Sequence, residues 1–194
     1  ILISQAHYDH DAGSAIIKME TGASYMVMDK DVPVIESGGK KDFAYSNKYF
    51  YPPTKVDRVL HDGDSIELGG TKLVVHLTPG HTKGCTTYTM QVTSNHKIYN
   101  VVFIGGTGVN PEFKLIHNTQ YPEIVNDFQH TFAVLKSLPC DVFLAAHGRF
   151  FDLEKRKCSI YDYRPTQCRT FPFWEYFKNN EKEVYKECPA IKNI

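Results

Sequence analysis

The sequence lacks any apolar run approaching the roughly 18 residues that a membrane-crossing helix needs, so no segment reads as a membrane span. It also lacks an excess charge of either sign: 22 Lys and Arg stand against 22 Asp and Glu in 194 residues. Without a basic stripe there is no electrostatic footprint for nucleic acid. Its five cysteines are an odd, widely spaced set, which makes a poor disulfide framework. No charged segment followed by an apolar one opens the chain, so no signal peptide is read. The chain starts without Met, directly in Ile1-Leu2-Ile3, and reads as a fragment. There is no internal repeat and no low-complexity tract. What remains is ordinary for a globular protein: 42% hydrophobic and 23% charged residues. The length suffices for one domain with a real core and a small appendage. Nothing in the sequence sets the oligomeric state.

The order of elements reads strand, helix, strand, helix, several strands, helix, strand, which suits helices layered on sheets. Ile1 to Ser4 reads as a buried strand, and Ala12 to Glu20 as a helix stopped by Gly22. Ser24 to Met28 is a strand. Asp29 to Ser37 is a helix with Pro33 near its first turn. Residues 40–56 are a polar and aromatic loop. Val56 to Leu60 and Ser65 to Leu68 flank His61-Asp62-Gly63-Asp64 as a hairpin-like pair. Thr71 to Leu77, Thr86 to Val92 and Ile98 to Ile104 are further strands. Gly105 to Gln120 is a long irregular segment, and loops of that length are more often functional than idle. Pro122 to Leu138 is an amphipathic helix with Ile124, Val125, Phe128, Phe132, Leu135 and Leu138 on one face. Asp141 to Ala145 is a short strand.

The most informative stretch is Gln5-Ala6-His7-Tyr8-Asp9-His10. It offers an amide oxygen, two imidazoles and a carboxylate within six residues, on an irregular loop whose successive side chains point apart. Imidazole and carboxylate without thiolate suit catalytic Zn²⁺ better than a structural zinc site. The plain alternative is a polar loop with incidental histidines. Two further signals argue against it. His81 follows strand 71–77 in Thr78-Pro79-Gly80-His81-Thr82-Lys83-Gly84, and His147 follows strand 141–145 in Ala145-Ala146-His147-Gly148. Three strand ends thus deliver histidines close to glycine. His61, His76, His96 and His130 read as structural, Tyr8 as packing and Cys85 as a small buried residue. His117, in the long loop, is a weaker candidate for touching substrate.

Gln-x-His-x-Asp-His, Pro-Gly-His-Thr-x-Gly and Ala-Ala-His-Gly together resemble the metallo-β-lactamase superfamily, from residue 1 to about residue 156. The closer resemblance is to subclass three zinc β-lactamases with Gln at the first ligand position. Phe103-Ile104-Gly105-Gly106-Thr107-Gly108-Val109-Asn110-Pro111 resembles the segment where other subclasses place a Cys ligand, and here Thr107 stands instead. The resemblance implies an α+β fold, the αββα four-layer sandwich, lacking its N-terminal strands. It implies two zinc ions: the first held by Gln5, His7 and His81, the second by Asp9, His10 and His147. It implies hydrolysis of the amide of a small-molecule β-lactam by a metal-bound hydroxide, with Asp9 as the catalytic residue that orients it. Thr107 and Asn110 are expected to line the substrate pocket. Because an amide oxygen is a weaker zinc ligand than imidazole, the first site is expected to be the weaker. The resemblance also implies export to the periplasm.

The character of the chain changes at about Lys157. Cys158, Cys168 and Cys188, set among aromatics, form a short appendage resembling the latter half of a cysteine-rich family thought to chelate zinc or iron. Three thiolates do not complete a four-thiolate site. Two alternatives therefore stand beside the β-lactamase reading. One is another hydrolase on the same scaffold, acting on a lactone, thioester or phosphoester. The other is a non-catalytic metal-binding protein.

Overall fold

The computed structural model describes residues 1–151. The first compact unit is Ile1–Ala146, and the second begins at His147. The expectations for Cys158, Cys168, Cys188 and the rest of the tail lie outside the described residues.

In the first unit, helices α1 (Tyr8–Asp11) and α2 (Ser14–Thr21) precede strand β1 (Met26–Met28) and helix α3 (Val32–Glu36). Strands β2 (Arg58–Leu60), β3 (Ser65–Leu68), β4 (Thr71–Leu77), β5 (Thr86–Ser94) and β6 (Lys97–Ile104) follow, then helix α4 (Ile124–Ser137) and strand β7 (Val142–Ala145). β1 and β2 form a small parallel sheet, and β3-β4-β5-β6-β7 a larger one. The larger sheet is antiparallel except at β6 and β7, which run parallel with α4 as their crossover.

Side-chain alternation in β1 explains the layering. Successive residues of a strand point to opposite faces. Val27 packs with Ala6, Tyr25, Ile35 of α3 and Val56. Met28 faces the other way and packs with Leu60 of β2 and with Ile66, Val75 and Tyr88 of the larger sheet. The small sheet thus lies between a helical layer and the large sheet, as expected for the αββα sandwich. A third cluster, Tyr45, Phe113, Tyr121, Ile124 and Phe128, ties the 40–56 loop and the 105–123 segment to α4.

Four local expectations are corrected. Residues 1–4 form no strand beyond a single parallel bridge, Leu2 to Met26. The motif loop is not wholly irregular, because His7 carbonyl accepts from the backbone N–H groups of His10 and Asp11 at 3.0 and 3.1 Å and starts α1. β2 and β3 do not form a hairpin. The turn between them is pinned to β4 by Gly63 N–H on Val75 carbonyl and Leu77 N–H on Asp62 Oδ1, 2.9 and 2.8 Å, so β3 pairs with β4 and β2 with β1. In α4 the inward residues are Ile124, Phe128 and Thr131, while Val125 and Phe132 are exposed. Thr131 belongs inside because its hydroxyl donates to Pro79 carbonyl at 2.6 Å. A buried hydroxyl with a partner is tolerated where an unpartnered one is not.

Candidate metal centre

The segment Ile3 to Ala6 that leads into the first motif is held by backbone and hydroxyl contacts from β5 and from the 40–56 loop. Thr86 N–H donates to Ser4 carbonyl at 2.8 Å and Tyr51 hydroxyl to Ala6 carbonyl at 2.7 Å. Tyr88 hydroxyl donates to Ile3 carbonyl at 2.8 Å. The carboxylate of Asp11 accepts from the buried Tyr25 hydroxyl, which anchors α1 and so the residues Asp9 and His10 on it.

His81 sits on the loop after β4, which Thr78 N–H closes on Cys85 carbonyl at 2.8 Å. Its Nδ1 lies 2.6 Å from Gly108 carbonyl. A carbonyl only accepts, so Nδ1 carries the proton and Nε2 keeps a free lone pair, the form a metal requires. Gly106 lies directly behind this ring: a Cβ there would come within 2.8 Å of three His81 side-chain atoms, Cβ included. Cys85 is fully buried and its thiol is pushed up to about 12 by burial, so it is inert. Its sulfur accepts from Gly106 N–H at 2.9 Å and helps seat that glycine. The reading of Cys85 as a small buried residue agrees with this.

The two loops meet at their histidines. The His7 and His81 rings are 4.8 Å apart and near-perpendicular. His7 Nε2 lies 3.5 Å from Asp42 Oδ2, close enough for an ion pair though short of hydrogen-bond geometry, and Nε2 has no other partner among the described residues. Burial alone would raise the Asp42 carboxyl, but His7 and the N–H groups of Ala44 and Tyr45 outweigh it and hold it below its usual range. A charged carboxylate there directs Nε2–H toward itself and leaves Nδ1 as the donor atom. Gln5 is 2% exposed, and its Oε1 is buried without a hydrogen-bond partner. An unsatisfied buried amide oxygen carries a desolvation cost of about 1–3 kcal/mol, which a cation would relieve. The donor set of Gln5, His7 and His81 therefore fits a metal ion.

Asp9 Oδ2 lies 3.3 Å from His10 Nε2, and His10 Nδ1 lies 3.5 Å from Ser4 Oγ. His147 begins the second unit, two residues after β7 ends, where its ring meets Phe150 edge-on. Asn110 is engaged rather than free: its Nδ2 donates to Tyr45 hydroxyl at 2.8 Å. Thr107 is half-buried in the same segment. His117 is exposed at a positive φ of 55°. His96 shares a two-residue turn with Asn95, both at positive φ, the I′ geometry that closes the β5–β6 hairpin. His76 Nε2 bonds Thr89 Oγ1 at 2.8 Å across the sheet. Tyr8 is 50% exposed, its ring beside that of Tyr49.

Burial moves His81 down to about 4, against the lift of its bond to Gly108. The unfolded chain then binds more protons between about 4 and the ordinary 6.5. Stability from this group is present above that window and lost as pH falls through it, by up to about 3 kcal/mol. Asp31, raised by burial from 3.8 to about 6, acts in the opposite sense, so bulk acid denaturation would hide the effect. A ring-specific probe resolves it. In metal-free protein the His81 ring proton signals are expected to titrate near pH 4; a midpoint near 6.5 would show the ring to be solvated.

Three residues that shape the site were not read from the sequence. Asp42 and Tyr45 lie in a loop read only as polar and aromatic, yet Tyr45 stands edge-on to His7 with ring centroids 5.2 Å apart. Asp31 is fully buried, 25 residues from the first motif and 51 from Thr82. An acidic residue just before Val32-Pro33 looks like a helix cap, but Asp31 makes no side-chain cap bond. That failure to cap is visible only in three dimensions.

Comparison with known proteins supplies the remaining evidence. Residues 1–147 match the metallo-beta-lactamase superfamily, and residues 109–189 match a proposed zinc- or iron-chelating domain. The chain is 46% identical to the native FEZ-1 metallo-beta-lactamase from Legionella gormanii, with a TM-score of 0.77 over 95% of this chain and 71% of that one. It is 34% identical to the metallo-beta-lactamase GOB-18 from Elizabethkingia meningoseptica, with a TM-score of 0.75 over 100% of this chain and 71% of that one. A class B3 di-zinc metallo-beta-lactamase, LRA-12, from an Alaskan soil metagenome is 30% identical, with a TM-score of 0.76 over 95% of this chain and 70% of that one. Among curated proteins, a probable metallo-hydrolase from Burkholderia pseudomallei is 27% identical over 117 residues, 58% of this chain. The chain spans 39% of that relative's length and 50% of a similar, uncharacterized protein from Mycobacterium bovis.

Proposed function

The chain belongs to the metallo-beta-lactamase superfamily, and from that premise we propose that it is a zinc-dependent hydrolase that opens the amide of β-lactams. Metal binding and hydrolysis are the family's common ground; the β-lactam is the finer part of the proposal. The observation that supports it is the conjunction of an unpartnered buried Gln5 Oε1 with His7 and His81 rings 4.8 Å apart, on a chain 46% identical to a metallo-beta-lactamase.

In this reading Gln5, His7 and His81 hold one zinc, and Asp9, His10 and His147 a second. Bound zinc supplies a Lewis acid for the carbonyl and a water acidic enough to act as nucleophile near neutral pH. The chain's residues do the rest. The Gly108 and Asp42 contacts orient the imidazoles. The Asp9 carboxylate, 58% exposed at the helix start, would hold the second zinc and orient the attacking water. Thr107 and Asn110 border the space where substrate lies, Asn110 through Tyr45. The reading includes export to the periplasm; among the described residues no helix is long and apolar enough to cross a membrane.

Hydrolysis of a chromogenic cephalosporin, with added zinc and with a chelator, tests this. Turnover that needs zinc is the expected result. A folded, zinc-loaded chain that leaves the cephalosporin intact overturns the β-lactam assignment. The curated relative named a probable metallo-hydrolase favours a second reading, in which the same centre acts on a lactone, thioester or phosphoester.

A further inference from the structure

We propose that Asp31 is a positioning residue that sets the spacing between the Gln5–His7 loop and the His81 loop, and so builds the first metal site before metal arrives. This rests on the two-zinc reading above. Asp31 follows β1 and precedes α3, outside all three ligand motifs. Its carboxylate is fully buried and bonded to both ligand loops at once. Oδ2 accepts from Ala6 N–H at 3.0 Å, between Gln5 and His7. The same oxygen accepts from Thr82 hydroxyl at 2.7 Å, next to His81. Oδ1 accepts from Gly84 N–H at 2.8 Å, at the end of the His81 loop.

The surroundings fit a demand for this one side chain. Gly84 admits it: a Cβ at Gly84 would come within 2.8 Å of Asp31 N, Cγ and Cβ, so only glycine allows the loop this close. The three donors come from segments 25 to 53 residues away, and none belongs to α3, the helix that Asp31 precedes. Without the carboxylate, two buried N–H groups and a hydroxyl lose their acceptor, and each loop can relax separately. Donors preset at their working separation bind more tightly than donors that must be gathered, because the ordering cost is met on folding. Asp31 touches neither metal nor substrate in this arrangement. It acts through Ala6 and Thr82.

Asp31→Asn is the test, since the amide keeps the shape and one acceptor but turns a donor toward Ala6 N–H or Gly84 N–H. Zinc affinity is measured by competition with a chromophoric chelator in two backgrounds. His10→Ala leaves the first site as the binder, and His81→Ala leaves the second. Asp31→Asn is expected to weaken zinc about tenfold in the first background, in the range seen for residues that orient ligands, and to leave the second background unchanged. Equal affinities in the first background overturn the proposal and leave the two-zinc reading intact. Equal losses in both backgrounds, with a lower melting temperature, also overturn it, by showing a residue that merely holds the fold. Should the parent chain bind no zinc, the two-zinc reading itself fails. If Asp31→Asn does not fold, Thr82→Val decides, because it deletes a single bond of the three. Weaker zinc confined to the first background supports the proposal, and no change overturns it.

Discussion

Replacing Gly106 with alanine is expected to lower zinc-dependent turnover by about 100-fold while leaving the sheets intact. The added methyl would come within 2.8 Å of His81 Cβ as well as the ring, so rotating the ring away does not relieve the clash. Neither can Gly106 retreat freely, because its N–H is bonded to the buried Cys85 sulfur at 2.9 Å. The His81 loop must therefore move. Overpacking of this kind costs about 1–3 kcal/mol in stability, a loss a domain of this size survives. Displacing a reacting group by about 1 Å costs on the order of 100-fold in rate. Gly108→Ala is the control. It lies two residues on in the same segment, and a Cβ there meets nothing within 4 Å. Circular dichroism, zinc affinity and turnover of the two variants separate the effects. Full turnover in the Gly106 variant would remove His81 from the ligand set.

This prediction uses a glycine the sequence singled out only as part of a long irregular segment, and that is typical of what could and could not be read. The histidine motifs were legible because each is a local run of residue types, and two of the three, at His81 and His147, follow a strand end beside glycine. So were the stop of α2 at Gly22, the entry of α3 at Pro33 and all of β3, each fixed by neighbours in sequence. The partner of β2 was not legible. Its apolar residues suit either sheet, and the choice is made by bonds from Gly63 and Asp62 to a strand a dozen or more residues on. The inward face of α4 was misread for a related reason. Hydrophobic periodicity weighs Phe132 over Thr131, whereas the fold offers Thr131 a carbonyl and gives Phe132 only a neighbouring ring. Asp31 and Asp42 were missed because a carboxylate's partners are set by tertiary approach. Nothing in the residues around Asp42 marks it apart from the acidic residues on the surface.

Asp42 carries the second large expectation: Asp42→Asn is expected to be more damaging than Asp42→Ala, although it is the gentler change in shape. Asparagine keeps the oxygen that accepts from Ala44 and Tyr45 N–H at 2.7 and 2.6 Å, so the loop survives. It replaces the oxygen facing His7 Nε2 with an amide donor. The His7 ring then favours the tautomer with the proton on Nδ1, the atom left to bind zinc in the wild type. A comparable Asp-to-Asn exchange in serine proteases, which traps histidine in the wrong tautomer, costs about 10⁴ in kcat. Here the starting contact is longer, and a loss at or above the usual limit of about 100-fold for such orienting residues is expected in zinc affinity and turnover. Alanine removes the guide without imposing the wrong form, and a loss nearer tenfold is expected. The order of the two variants decides between tautomer control and simple packing. If alanine is the worse of the two, Asp42 serves the 40–56 loop rather than His7.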